Sequence, residues 1–164
     1  FWNRPAMAVT RNIVFEHNTC VDAGCGWAHA QRPGPNGAHL MFYLNSSATT
    51  GVAVRNNIFV NTTGVCTRMD NDWRKELAMH NNLYWSPGKP LVRWLGKTYY
   101  TAPDFGRYQS ELGMDMDSLV AEPQFVNSAA RDYRLKPGSP GLSRAADDGP
   151  VGASQSFKVG TEKQ

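Results

Sequence analysis

Gly51-Val-Ala-Val-Arg-Asn-Asn-Ile-Phe-Val60 is one of three segments of the chain that match one another position by position. The others are Asn12-Ile-Val-Phe-Glu-His-Asn-Thr-Cys-Val21 and Glu76-Leu-Ala-Met-His-Asn-Asn-Leu-Tyr-Trp85. In each, two apolar residues alternate with their neighbours (Ile13 and Phe15, Val52 and Val54, Leu77 and Met79), which is the period of a strand with one buried face. A polar residue and an asparagine follow, then a second apolar run, so each segment reads as strand, corner, strand. The corner asparagines Asn18, Asn57 and Asn82 are 39 and 25 residues apart. The shorter spacing suits one repeat of a stacked architecture, and the longer suits one repeat carrying the turn-rich insertion Ala30-Gln-Arg-Pro-Gly-Pro-Asn-Gly37. A third β-like run follows each match: His39–Leu44, Val65–Met69 and Pro90–Leu95. Three short strands per repeat, stacked in parallel about 4.8 Å apart, are expected.

The Val-x-Val-x-Asn-Asn-x-Phe pattern resembles the repeat of right-handed parallel β-helix proteins, the pectate-lyase-like superfamily of polysaccharide lyases and glycoside hydrolases. The stretches Asp104–Ser118, Ala121–Val126 and Asp132–Pro140 resemble the closing region of secreted bacterial β-helix proteins. The resemblance implies an all-β fold, a solenoid of about three coils in residues 1–100 with residues 101–164 closing the same domain. It also implies a polysaccharide partner and a secreted or cell-surface location. Within the closing segment, Phe105, Tyr108 and Leu112 fall at helical spacing between Asp104, a good N-cap, and Gly113, a good C-terminal stop, so one short helix is expected. At the other end, Phe1-Trp-Asn-Arg-Pro5 runs into the first coil with no capping pattern. Self-association through this open N-terminal coil is therefore expected of the isolated chain, and upstream coils are expected in the native protein.

Composition narrows the function classes. Gly contributes 15 residues and Pro 10, spread through the chain, which fits many short elements joined by turns. Charged residues make up 19% and hydrophobic ones 41%, a folded composition with no membrane span. The formal charge of +3 comes without a basic run, so nucleic acid is not expected as a partner. Three cysteines, Cys20, Cys25 and Cys66, cannot all pair within one chain. No cofactor or metal is expected. The sequence has neither the closely set Asp pair of polygalacturonase-like enzymes nor an Asp cluster suited to a lyase calcium site, and Asp115-Met-Asp117 reads as a closing turn.

Candidate functional residues come from alternation along the third strand of each repeat. With Leu40, Phe42 and Leu44 inward, His39, Met41, Tyr43 and Asn45 point outward. With Val65, Thr67 and Met69 inward, Cys66, Arg68 and Asp70 point outward, with Asp72 and Trp73 on the turn beyond. With Val92 and Trp94 inward, Arg93 points outward, whereas a register slip of one would exchange the faces of Arg93 and Trp94; with Arg93 outward, Tyr43, Arg68 and Arg93 form one lateral row. In such a row Arg68 and Arg93 are placed to hold uronate carboxylates. Tyr43 and Trp73 would contact ring faces, Asp72 would join the binding set, and Asp70 with His39 would transfer protons. The expected function is binding or cleaving an anionic polysaccharide, by lyase or hydrolase chemistry if it is cleaved. A non-catalytic structural or adhesive module is the alternative. The asparagine pairs and the inward aromatic residues are read as structural.

Overall fold

The computed structural model describes residues 1–2, 9–45 and 48–153. Strands β1 (Thr10–Glu16), β2 (Thr19–Ala23) and β3 (Ala38–Phe42) make the first repeat, β4 (Thr49–Arg55), β5 (Ile58–Thr62) and β6 (Val65–Met69) the second, and β7 (Leu77–His80), β8 (Leu83–Trp85) and β9 (Val92–Trp94) the third. Each repeat gives one strand to each of three sheets. The orders are β1-β4-β7, β2-β5-β8 and β3-β6-β9, all parallel. The registers are those that the sequence matches require: Ile13 faces Val52 and Val52 faces Leu77, while Cys20 faces Phe59 and Phe59 faces Tyr84. The insertion between β2 and β3 holds the short helix α1 (Trp27–Gln31). All three cysteines are unpaired.

The closing segment extends this plan. Strand β10 (Thr98–Tyr100) folds back antiparallel on β9 through Leu95 and Gly96, both at positive φ. Helix α2 (Phe105–Leu112) follows and buries Phe105 and Tyr108. Gly113 ends it in the left-handed conformation, with its N–H donating to Gln109 O. Asp104 does not cap the helix with its side chain and instead accepts from Thr101 N–H and Oγ1 (3.2 and 2.7 Å). Strand β11 (Leu119–Val120) then joins β8 in parallel, with Leu119 opposite Leu83. Asp117-Ser118 thus stands where Asn81-Asn82 stands one repeat earlier, a fourth, degenerate copy that the sequence comparison missed. The antiparallel hairpin of β12 (Phe125–Asn127) and β13 (Asp132–Leu135) completes the described strands.

The two residues of each corner divide the work. His17, Asn56, Asn81 and Asp117 take the positive φ (51°, 57°, 53° and 61°), which is open to Asn and Asp more readily than to most side chains. The next residue builds the polar column, so the left-handed corner stands one position before Asn18, Asn57 and Asn82. Asn18 Nδ2 donates to Asn57 Oδ1 (3.1 Å), Asn57 Nδ2 reaches Asn82 Oδ1 (3.1 Å), and Asn82 Nδ2 donates to Asp115 Oδ1 (3.0 Å). The backbone N–H groups of Asn18 and Asn57 donate to the same amide oxygens, and that of Asn82 donates to Ser118 Oγ (2.8 Å). Asn57, Asn82 and Asp115 are fully or almost fully buried, so each amide satisfies backbone groups that no water could reach.

The three sheets enclose one apolar cluster. Val52, Val54, Phe59, Met69, Tyr84 and Val92 are buried there, and ring stacking from Phe59 through Tyr84 to Phe105 of α2 (5.3 and 5.4 Å between centroids) ties the closing helix to the repeats. Truncating any one of these rings costs about 3–5 kcal/mol. Strands β5 and β8 are apolar on both faces. Ile58 and Leu83 therefore meet a second cluster outside the sheet, built with Leu135, Ala145 and Val151.

Candidate functional site

On the outer face of β3, β6 and β9, Arg68 and Arg93 lie directly opposite each other in parallel register. Both converge on Asp70, which follows β6. Arg68 holds it through Nε (2.9 and 3.0 Å) and Nη2 (2.7 Å), and Arg93 through Nη2 (3.0 Å). The Arg68 hydrogen bonds in particular hold the Asp70 carboxyl below the usual carboxylate range. Asp70 is thus ionised at neutral pH and occupied by two guanidinium groups, a poor proton donor. Among the described residues, Arg68 and Arg93 keep donors unspent, and the Nε of Arg93 is buried without a partner.

A groove of ≈ 300 Å³ opens over this cluster. Arg68, Arg93, Lys89 and Tyr99 line it, together with the loop Pro35–Ala38 and Thr63–Val65. The loop comes this close because Gly64 has no side chain: a Cβ there would lie 2.5 Å from Gly37 O, and Val65 N–H donates to that same oxygen (2.9 Å). Three cations against the single carboxylate of Asp70 leave this surface with an excess of positive charge. Lys89 and Tyr99 were not anticipated. Tyr99 comes opposite Arg93 through the β9–β10 hairpin, whose signal was the Leu95-Gly96-Lys97 turn before Thr98-Tyr-Tyr100.

The remaining expected residues do not meet here. His39 turns to the neighbouring strand, with Nε2 2.9 Å from Asn61 O and its ring against Phe59 (5.7 Å), and burial pushes its pKa down. Its proton-transfer partnership with Asp70 has no hydrogen bond to support it. Cys66, expected outward, is fully buried, and burial pushes its thiol up to about 12. At the start of β6 the chain has just turned its corner, and Val65, Cys66 and Thr67 are all buried before alternation resumes at Arg68. Trp73, expected at a sugar face, is 1% exposed and packs edge-on to Phe42 (5.5 Å). Asp72 is exposed and pairs with Arg74 (2.6 Å), which holds its carboxyl below the usual range. Tyr43 is 42% exposed, but the residue opposite Arg68 is Met41, so Tyr43 stands outside the arginine row.

The described residues thus define an all-β chain of parallel sheets with a cationic, tyrosine-edged groove on one of them. No family model matches the chain, and neither the curated proteins nor the solved structures give a significant match. No described helix is long and apolar enough to cross a membrane.

Proposed function

We propose that the chain is a segment of a right-handed parallel β-helix of pectate-lyase-like kind, and that its cationic groove binds the carboxylates of an anionic, uronate-containing polysaccharide. The observation that carries the reading is the in-register pair Arg68 and Arg93, fixed by one shared carboxylate and left with free donors beside Lys89. Guanidinium groups suit planar carboxylates because two N–H donors meet two oxygens. Asp70 contributes by orienting both arginines, and Tyr99 offers an aromatic face at the rim. Binding without cleavage is favoured over catalysis because the groove-lining residues include no carboxylate, the neighbouring Asp70 is ion-paired and His39 lies elsewhere. An extracellular polymer as ligand goes with a secreted or surface location.

Calorimetric titration with oligogalacturonate and oligoguluronate tests this reading. Binding that weakens as salt rises, and weakens about tenfold in both Arg68→Ala and Arg93→Ala, is expected. Unchanged affinity in the two variants would remove the uronate reading. In the same samples, new absorbance from unsaturated products would mean β-elimination, and new reducing ends without it would mean hydrolysis. Self-association of the isolated chain is a separate proposal, supported by Ile13 and Val14 exposed on the outer strand β1. Residues 3–8 of the expected N-terminal opening lie outside the described residues, so light scattering over a concentration series is the check.

A further inference from the structure

The outer face of β2, β5 and β8 carries a second and larger cavity, ≈ 690 Å³, on a different sheet from the arginine groove. Its floor is Val21, Val60 and Trp85, which face one another in register across the three strands. One wall is the closing hairpin, where Tyr133 stands edge-on to Phe125 (5.2 Å). The polar groups sit around this apolar floor. Asp22 and Asn61 lie at one rim, joined by Asn61 Nδ2 donating to Asp22 Oδ1 (3.3 Å), and Glu122, Gln124 and Lys136 at the other.

We propose that this cavity is a second binding site and that it takes a neutral saccharide unit. A pyranose ring has an apolar C–H face and a rim of hydroxyls, each able to donate and accept. The half-buried indole of Trp85 and the phenol of Tyr133 suit the face. Carboxylates that only accept, with amides that do both, suit the rim. Its volume falls in the range of small-molecule sites. Charge separates its ligand from that of the arginine groove: two carboxylates against one ammonium disfavour a uronate, a phosphate or a sulfate here. Binding at this cavity does not require the arginine groove.

Calorimetry on the full chain with neutral cello-, xylo-, manno- and galacto-oligosaccharides tests the proposal. Heat of binding is expected with at least one series and is expected to persist at high salt, where retention of polyuronates by the arginine groove fades. Glu122→Gln, at an exposed side chain with no hydrogen bond among the described residues, should weaken it about tenfold. Trp85→Phe keeps a ring on the floor and should weaken it about threefold. Absence of heat with every neutral series at about 10 mM sugar overturns the proposal, as does binding that both variants leave unchanged. Because the arginine variants report only on polyuronates, failure here and failure of the uronate reading give different results.

Discussion

Two rows of polar side chains run across the repeats of this protein, one inside and one outside, and they have opposite chemistry. The inner column from Asn18 to Asp115 is buried over most of its length, and its amides and carboxylate are matched to donors and acceptors. The outer cluster of Arg68, Asp70 and Arg93 is partly exposed, with side-chain exposures of 31%, 13% and 24%, and its guanidinium groups have donors to spare. Both rows arise from the same stacking, so repetition alone does not separate scaffold from site. What separates them is whether the hydrogen-bonding capacity is used up inside the fold.

The inner column is the more sensitive of the two rows. Asn82→Ala deprives Asn57 N–H, Val54 O and Asp115 Oδ1 of a partner in a dry interior. A loss of about 3 kcal/mol is expected. By calorimetry this should appear as a melting temperature lower by about 6–12 °C. A loss under about 1 kcal/mol would mean that the column is ornamental rather than structural.

Next comes pH, where the two rows should have opposite signs. Burial raises the Asp115 carboxyl above its ordinary value despite hydrogen bonds from Asn82, Ser118, Tyr84 and Tyr108. The folded state then holds this proton more tightly than the unfolded one. Stability from Asp115 is accordingly greatest below the ordinary carboxylate range and declines as pH rises to the raised value. Asp70 has a lowered value, chiefly through Arg68, so its contribution is present above the ordinary carboxylate range and lost as pH falls through the lowered value. Urea unfolding across a pH series should show Asp115→Asn removing the decline on the rising side and Asp70→Asn removing the loss on the acid side. Flattening of the same limb by both variants would contradict the contrast.

A smaller structural effect is expected from Arg68→Ala and Arg93→Ala, each altering stability by less than about 1 kcal/mol while weakening polyuronate binding. The smallest belongs to Glu16, which pairs with Arg55 at 2.7 Å with both side chains 39% exposed. Glu16→Ala should change unfolding free energy by at most about 0.5 kcal/mol, within the range of surface pairs in double-mutant cycles.

The repeat, its registers, helix α2 and the outward placing of Arg68 and Arg93 were legible because each rests on a local period or a capping pattern. Legibility failed at corners. His39, Cys66 and Trp73 sit where strand alternation is interrupted, and a period of two says nothing about a side chain on a turn. The fourth repeat escaped because serine replaces asparagine at position 118 and because α2 intervenes. The cavity over Trp85 draws on residues 21–22, 60–61, 85 and 122–136, too scattered for any motif. One clue was in view: Ile58-Phe-Val60 is apolar on both faces, and a strand of that kind has something lying over its second face.

The end of the asparagine column has a consequence for how far such a stack can run. An amide both receives and gives, so every asparagine hands the hydrogen bond on in one direction, from Asn18 toward Asp115. A carboxyl group has no N–H to hand on. Asp115 therefore acts as a chain terminator in the polymer chemist's sense: it meets the last amide, a serine and two tyrosines, and has no amide N–H to extend the column. The relay is stopped by one functional group, and an asparagine at that position would restore the missing donor and with it the capacity to propagate.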